Sequence, residues 1–201
     1  MKRLYWAKGA CSFAPHVVLE EVGERFEPVQ VDPNVPRPTG YPHPRGHVPV
    51  LVEDGFVLTE AHAIMVYVGE TLMPAPGTKE RGRVHELCGI LSSAVHVAYR
   101  QIRRPARFTD DESAHNGIKQ HGHAYMTRLL AELEGRVGKG PWAIGEQYTI
   151  ADPYVVIMHR WGHTAELDMS QFPALKAHSE RVRARPAVQR VIEREGLNPW
   201  P

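Results

Sequence analysis

Cys11 is the first residue whose type and setting suggest chemistry. It stands in Gly9-Ala10-Cys11-Ser12-Phe13-Ala14-Pro15-His16, after the apolar, strand-like run Leu4-Tyr5-Trp6. Val17, Val18, Leu19 and Val22 follow with the pattern of an amphipathic helix. A thiol in this position lies beside the first turn of a helix, where unpaired backbone N–H groups and the helix dipole favour an anion. The expectation is a depressed thiol pKa, suited to a nucleophile or thiolate partner. The competing reading is a small buried hydrophobe. Further along, His96, Arg100, Arg103 and Arg104 fall at helical spacings of four, seven and eight, so much of the set can share one face. A face of this kind bordering a cleft would favour an anionic co-substrate, although a solvated basic face near a helix C-terminus is the preferred reading.

The elements that must position these residues are legible in order. Residues 3–6 read as a strand, 12–22 as a helix ending near Gly23, and 26–31 as a second strand that Pro28 assigns to an edge. Five prolines and two glycines between 32 and 47 exclude a long helix there. Val48 to Val52 resumes a strand, Glu53-Asp54-Gly55-Phe56 signals a hairpin into Val57-Leu58, and Thr59 caps the next helix. The order is that of a small α/β unit. After a linker at Met73-Pro74-Ala75-Pro76-Gly77 only helical spacing is found. One helix carries Val84 through Ile102, including His96, and ends at Pro105. A second carries Ile118 through Val137. A third starts at Thr149, with Asp152 in place of the Glu or Gln of a capping box and Pro153 unusually deep in the helix. Two closing helices span 173–184 and 186–195.

Composition sets the bounds. A net charge of +1 on 201 residues provides no field for nucleic acid or an anionic membrane, and no apolar run approaches a membrane span. Met1-Lys2-Arg3-Leu4-Tyr5 lacks the pattern of a signal peptide, so a cytoplasmic protein is expected. Two cysteines, Cys11 and Cys88, indicate no disulfide framework. His115, His121 and His123 cluster, as do His159 and His163, but without the partner residues of a zinc motif, so no metal is expected.

The order of these fragments resembles the bacterial beta-class glutathione S-transferases over nearly the whole chain. The resemblance is carried by Gly9-Ala10-Cys11-Ser12 with Ala14-Pro15-His16, Gly46-His47-Val48-Pro49, and Leu58-Thr59-Glu60 with Ala63-Ile64. It continues in His96 with Pro105, Thr149-Ile150-Ala151-Asp152, Arg160-Trp161 and Glu195-Gly196-Leu197. It implies a thioredoxin-like α/β N-terminal domain over 1–74, an all-α C-terminal domain over 80–201 and a homodimer. The activity implied is conjugation of the glutathione thiol to a hydrophobic electrophile. In that reading Val48-Pro49 is a cis-proline turn whose backbone pairs with the tripeptide. Glu60 and Ala61 hold the γ-glutamyl end at a helix N-terminus, and Trp161 lies near the glutathione site. Cys11 and His96 manage the sulfur, ahead of Tyr5 and Ser12, and Tyr99, Arg100 and Arg103 belong to the electrophile pocket. Glutathione-dependent disulfide or peroxide reduction through Cys11, and a non-catalytic ligand-binding protein of the same fold, are the alternatives.

Three departures bear on substrate. Ala61 keeps a backbone N–H but has no hydroxyl. The 33–47 connection is short and rich in proline, with Arg37 and Arg45 the nearest basic residues for the glutathione wall. His96 is flanked by Ala94, Val95 and Val97 where the family often carries polar residues.

Overall fold

The computed structural model describes residues 1–201. Strand β1 (Lys2–Trp6) leads into helix α1 (Phe13–Glu21) and returns as β2 (Phe26–Gln30), parallel to β1. β3 (Val50–Glu53) and β4 (Phe56–Thr59) add antiparallel strands, giving the sheet order β2-β1-β3-β4. Pro28 sits on the edge strand, opposite Leu4, where its missing N–H leaves no ladder bond unmade. Asp54 (φ 48°) and Gly55 (φ 86°) supply the two positive φ angles that a tight right-twisted hairpin requires. Helix α2 (Ala61–Val68) completes the unit, with Leu4, Leu19, Leu51 and Ile64 packed between sheet and helices.

The second unit is wholly helical: α3 (Lys79–Ile90), α4 (His96–Arg103), α5 (His115–Val137), α6 (Ala151–Thr164), α7 (Pro173–Arg183) and α8 (Pro186–Arg194). The two units share one core. Helix α1 is buried at every position from Phe13 to Leu19, with Phe13, Ala14, Val17 and Val18 in the same apolar cluster as Tyr154, Val155 and Ile157 of α6. The Cys11 loop is therefore built from both sides.

Three local departures from the sequence reading matter for the site. The apolar-periodic run around His96 is not one α-helix. A π-helical stretch, Leu91–Val95, separates α3 from α4. The Ser92 and Ser93 hydroxyls both donate to Gly89 O (3.0 and 2.9 Å), and such back-bonding competes with the α-helical ladder. Thr59 ends β4, and Glu60 rather than Thr59 occupies the N-cap of α2, with φ 70° and ψ 122°. Pro153 is third in α6, within the first turn, where no intrahelical N–H bond is needed. The Asp152 carboxylate accepts from Thr149 N (2.7 Å), Ala143 N (2.8 Å) and His178 Nε2 (2.8 Å), so the short side chain is held by tertiary partners as well as by the cap.

Candidate functional site

Cys11 lies just before α1, 8% exposed, with its Sγ 3.6 Å from Val48 O, to which it donates. The loop carrying it is clamped by the helical unit. Gly9 N donates to Glu195 Oε2 (3.1 Å), and the Trp161 indole N–H donates to Gly9 O (2.9 Å). Glu195 also meets His16 Nδ1 at 2.9 Å in the interior. Ser12 is spent on the same turn, its Oγ donating to Ala7 O and accepting from Ala7 N. Tyr5 packs edge-on to Tyr41 and lines neither cavity described below.

Two cavities meet at Cys11, His47, Val48, His96 and Arg100. The larger, about 580 Å³, is bounded by the 31–49 loop and the start of α2, through His43, Arg45, Pro49, Glu60, Ala61 and His62. This volume is ordinary for a small-molecule site. The loop is pinned in spite of its prolines. Arg37 donates to Gly46 O and Asp32 O, and Tyr41 Oη donates to His47 O. Val48-Pro49 is cis, and the Val48 N–H has no protein acceptor. In α2 the first intrahelical bond runs from Ile64 N to Glu60 O, so the N–H groups of Ala61, His62 and Ala63 are free at the cavity wall. The Glu60 carboxylate accepts from Arg45 (2.8 Å), and both side chains are about two-thirds exposed (65% and 64%), so the pair adds little stability.

The smaller cavity, about 250 Å³, lies on the other side of Cys11 and His96. Tyr99 and Trp161 form one wall, their rings stacked at 4.4 Å and 10°. His96 meets the Trp161 ring edge-on at 4.9 Å. Trp161 lines this smaller cavity beside Cys11, its N–H tied to Gly9 O and its ring stacked on Tyr99. Arg103 also lines the smaller cavity, whereas Arg100 reaches both. The basic run is a solvated face, with Arg103 and Arg104 exposed and Arg100 half-buried, and all three side chains also border this concave site.

The electrostatics reverse one expectation. Burial pushes the Cys11 thiol up to about 12, Glu60 adds to the rise, and Arg100 with the N–H groups of Cys11 and Ser12 only partly opposes it. The helix start is present, but desolvation outweighs it. Cys11 is thus a neutral thiol in the free protein. Burial, then Arg100, His47 and Arg107, brings His96 down to about 4, so its imidazole is neutral as well. His47 is lowered by burial and by Arg107. Cys88, also free and pushed up to about 12 by burial, lines neither cavity.

Tyr154, His47 and Arg107 also border these cavities, although none of them stands out in the sequence as a candidate. Tyr154 borders the larger cavity from the first turn of α6, with its hydroxyl raised well above the usual value by burial. His47 stood within the quoted Gly46-His47-Val48-Pro49 string, and Tyr154 two residues beyond the quoted Asp152. Adjacency to those strings was the available signal.

Comparisons with known proteins bear on the fold and the family. The model of the glutathione S-transferase N-terminal domain matches residues 1–70, and that of the C-terminal domain matches 118–186. A glutathione S-transferase of Xanthomonas campestris pv. campestris is 30% identical over 98% of this chain and 100% of its own length. The chain belongs to the glutathione S-transferase family. Within that family, a sphingomonad glutathione S-transferase solved in complex with glutathione is 33% identical, with a TM-score of 0.85 over 97% of this chain and 99% of that one. The beta-class glutathione S-transferase of Sphingomonas chungbukensis is 31% identical, with a TM-score of 0.85 over the same shares. The four-stranded mixed sheet and the helical second unit are those of a glutathione transferase, similar to the bacterial beta class. No helix is long and apolar enough to cross a membrane.

Proposed function

We propose that this family member conjugates the thiol of glutathione to a small electrophile. The observation that carries the reading is the meeting of two cavities at Cys11 and His96, one edged by free backbone N–H groups and the other by an aromatic wall. Glutathione would take the larger cavity. The Val48 backbone would pair with its extended chain. The open N-terminus of α2 would hold the γ-glutamyl carboxylate, and the Glu60 side chain the ammonium. Ala61 supplies its N–H without a hydroxyl, so this reading places the carboxylate on the backbone.

The sulfur would then face two neutral donors. A thiol whose pKa is pushed up to about 12 gives up its proton reluctantly, so Cys11 can donate a hydrogen bond to a glutathione thiolate and remain protonated itself. A neutral His96 can donate its ring N–H in the same way. Both favour the anionic form of the bound thiol, which is the nucleophile. The sulfur forms a bond to the electrophilic carbon, the leaving group departs with its electron pair, and the thiol proton passes to water. The acceptor would lie on the Tyr99–Trp161 wall. The expected homodimer belongs to this proposal, and sedimentation equilibrium tests it.

Wild-type protein is expected to be retained on immobilised glutathione and to turn over chlorodinitrobenzene. Cys11→Ala is expected to keep glutathione binding and to lose about tenfold or more in kcat. Absence of glutathione binding by calorimetry would sink the reading and leave a ligand-binding protein of the same fold. Turnover of glutathione mixed disulfides without any haloaromatic conjugation would move it to disulfide reduction.

A further inference from the structure

The smaller cavity has a charge that the rest of the molecule does not prepare for. Arg100 and Arg103 come from α4, and Arg104 and Arg107 from the turn that follows it; Lys8 approaches from the Cys11 loop. No aspartate or glutamate lines the cavity. None of these five cations makes an ion pair, and none of their side chains donates a hydrogen bond within the protein. Elsewhere about half of the cations are paired, as in Arg81–Glu70, Arg136–Glu132, Arg185–Glu21 and Arg194–Glu20, whereas here five lie together with no acidic group among them. The overall balance of 24 Lys and Arg against 23 Asp and Glu shows that acidic partners are not scarce.

Like charges gathered around one concave site repel one another and raise the local potential for an anion, an effect that salt weakens because most of the side chains are exposed. Arg107 records it, its guanidinium being lowered by burial and then by Arg104 and Arg100. A planar guanidinium with unused donors is matched by a carboxylate, which it can hold through two parallel bonds. Beside the guanidinium groups stands half-buried Tyr99, its ring backed by the buried Trp161, which suits a conjugated or aromatic body.

We propose that the acceptor taken by the smaller cavity is an anion: a planar, carboxylate-bearing electrophile, its carboxylate held by Arg103, Arg104 and Arg107 and its conjugated body lying on Tyr99, which Trp161 backs. The proposal rests on the transferase reading above and narrows it, replacing the purely hydrophobic acceptor expected from the family resemblance. With a halogenated aromatic carboxylate, the glutathione sulfur bonds to the ring carbon bearing the halogen and the carbon–halogen bond breaks. Halide leaves with the bonding pair, and the thiol proton goes to water.

The test compares two acceptors that differ only in the carboxylate, chlorodinitrobenzene and chlorodinitrobenzoate, each kcat/KM divided by its own uncatalysed rate. Wild type is expected to favour the carboxylate by about tenfold or more, chiefly through KM, and the preference should shrink as salt is raised. In Arg104→Gln/Arg107→Gln the ratio should fall to within about twofold, and Arg104→Lys should retain part of it. These side chains are exposed and bond to nothing in the protein, so the variants are expected to fold. A normalised ratio near one in wild type, unmoved by the substitutions, overturns the proposal while conjugation itself still stands. Dinitrobenzoate, which has no leaving group, reads the anion site by calorimetry without chemistry. Binding tighter than that of dinitrobenzene, and weakened in the double variant, supports the anion site even if glutathione fails to bind, an outcome that overturns only the transferase reading. Equal binding of the two overturns the anion site.

Discussion

At the scale of single residues, Cys11 and His96 owe their character to what surrounds them. A thiol at a helix start looks acidic on paper, yet burial against Val48 and nearness to Glu60 push it up to about 12. In the free protein Cys11 should therefore react with iodoacetamide at neutral pH about three orders of magnitude more slowly than an ordinary cysteine, following its thiolate fraction. Mass spectrometry of the alkylated tryptic peptide checks this, and prompt modification at neutral pH would contradict it. Cys11, Val48 and Glu60 stand out in the sequence because each sits in a recognisable local string, and His96 by its spacing from Pro105. Burial does not, because it depends on α4 and α6 closing over the loop. Arg107 and Tyr154 have no more than adjacency to such strings to mark them. Neither stands out in its own segment, and each joins the site only through packing.

At the scale of elements, the start of α2 carries strain. Glu60 holds φ 70° and ψ 122°, a backbone region suited to glycine. Its side chain forms only an exposed pair with Arg45. Glu60→Gly should therefore raise stability by about 1 kcal/mol while weakening glutathione binding about tenfold through loss of the ammonium partner. Urea unfolding together with a glutathione titration checks both halves, and a drop in stability would count against the strain argument. The hairpin at Asp54-Gly55, the edge strand with Pro28 and the closing helices were legible, since each follows from local turn chemistry or apolar periodicity. The π-helical stretch before His96 was not, because one extra residue per turn leaves little mark on such a pattern. The Ser92-Ser93 pair was its only signature.

At the scale of the whole molecule, stability and site are coupled through the shared core. His159 of α6 is 3% exposed, and neither ring nitrogen has a partner. Burial, then His163, His178 and Arg183, lowers it from its usual 6.5 to about 4. A histidine depressed in the folded state contributes stability that is complete above the unfolded value and is lost as pH falls through the folded one. Acidification from pH 7 to about pH 5 should thus cost about 2 kcal/mol through this residue alone. His159→Leu should remove that loss and be neutral or mildly stabilising at pH 7; a urea series against pH that shows parallel losses in both proteins would refute it. The division into a sheet unit and a helical unit could be read from the sequence, because strand alternation ends at the proline-rich linker. That they share one core around α1 could not, because α1 is buried on all sides and its pattern names no partner. The same closure brings Cys11 and His96 to one point, and in the proposed reaction that point stabilises a glutathione thiolate. The thiolate absorbance of bound glutathione, followed against pH, measures it directly. The bound thiol pKa should fall from about 8.5 to below about 7 in wild type and rise again by about one pH unit or more in Cys11→Ala and in His96→Ala. A complex that forms with its thiol pKa unmoved, or moved equally in all three proteins, would contradict the account.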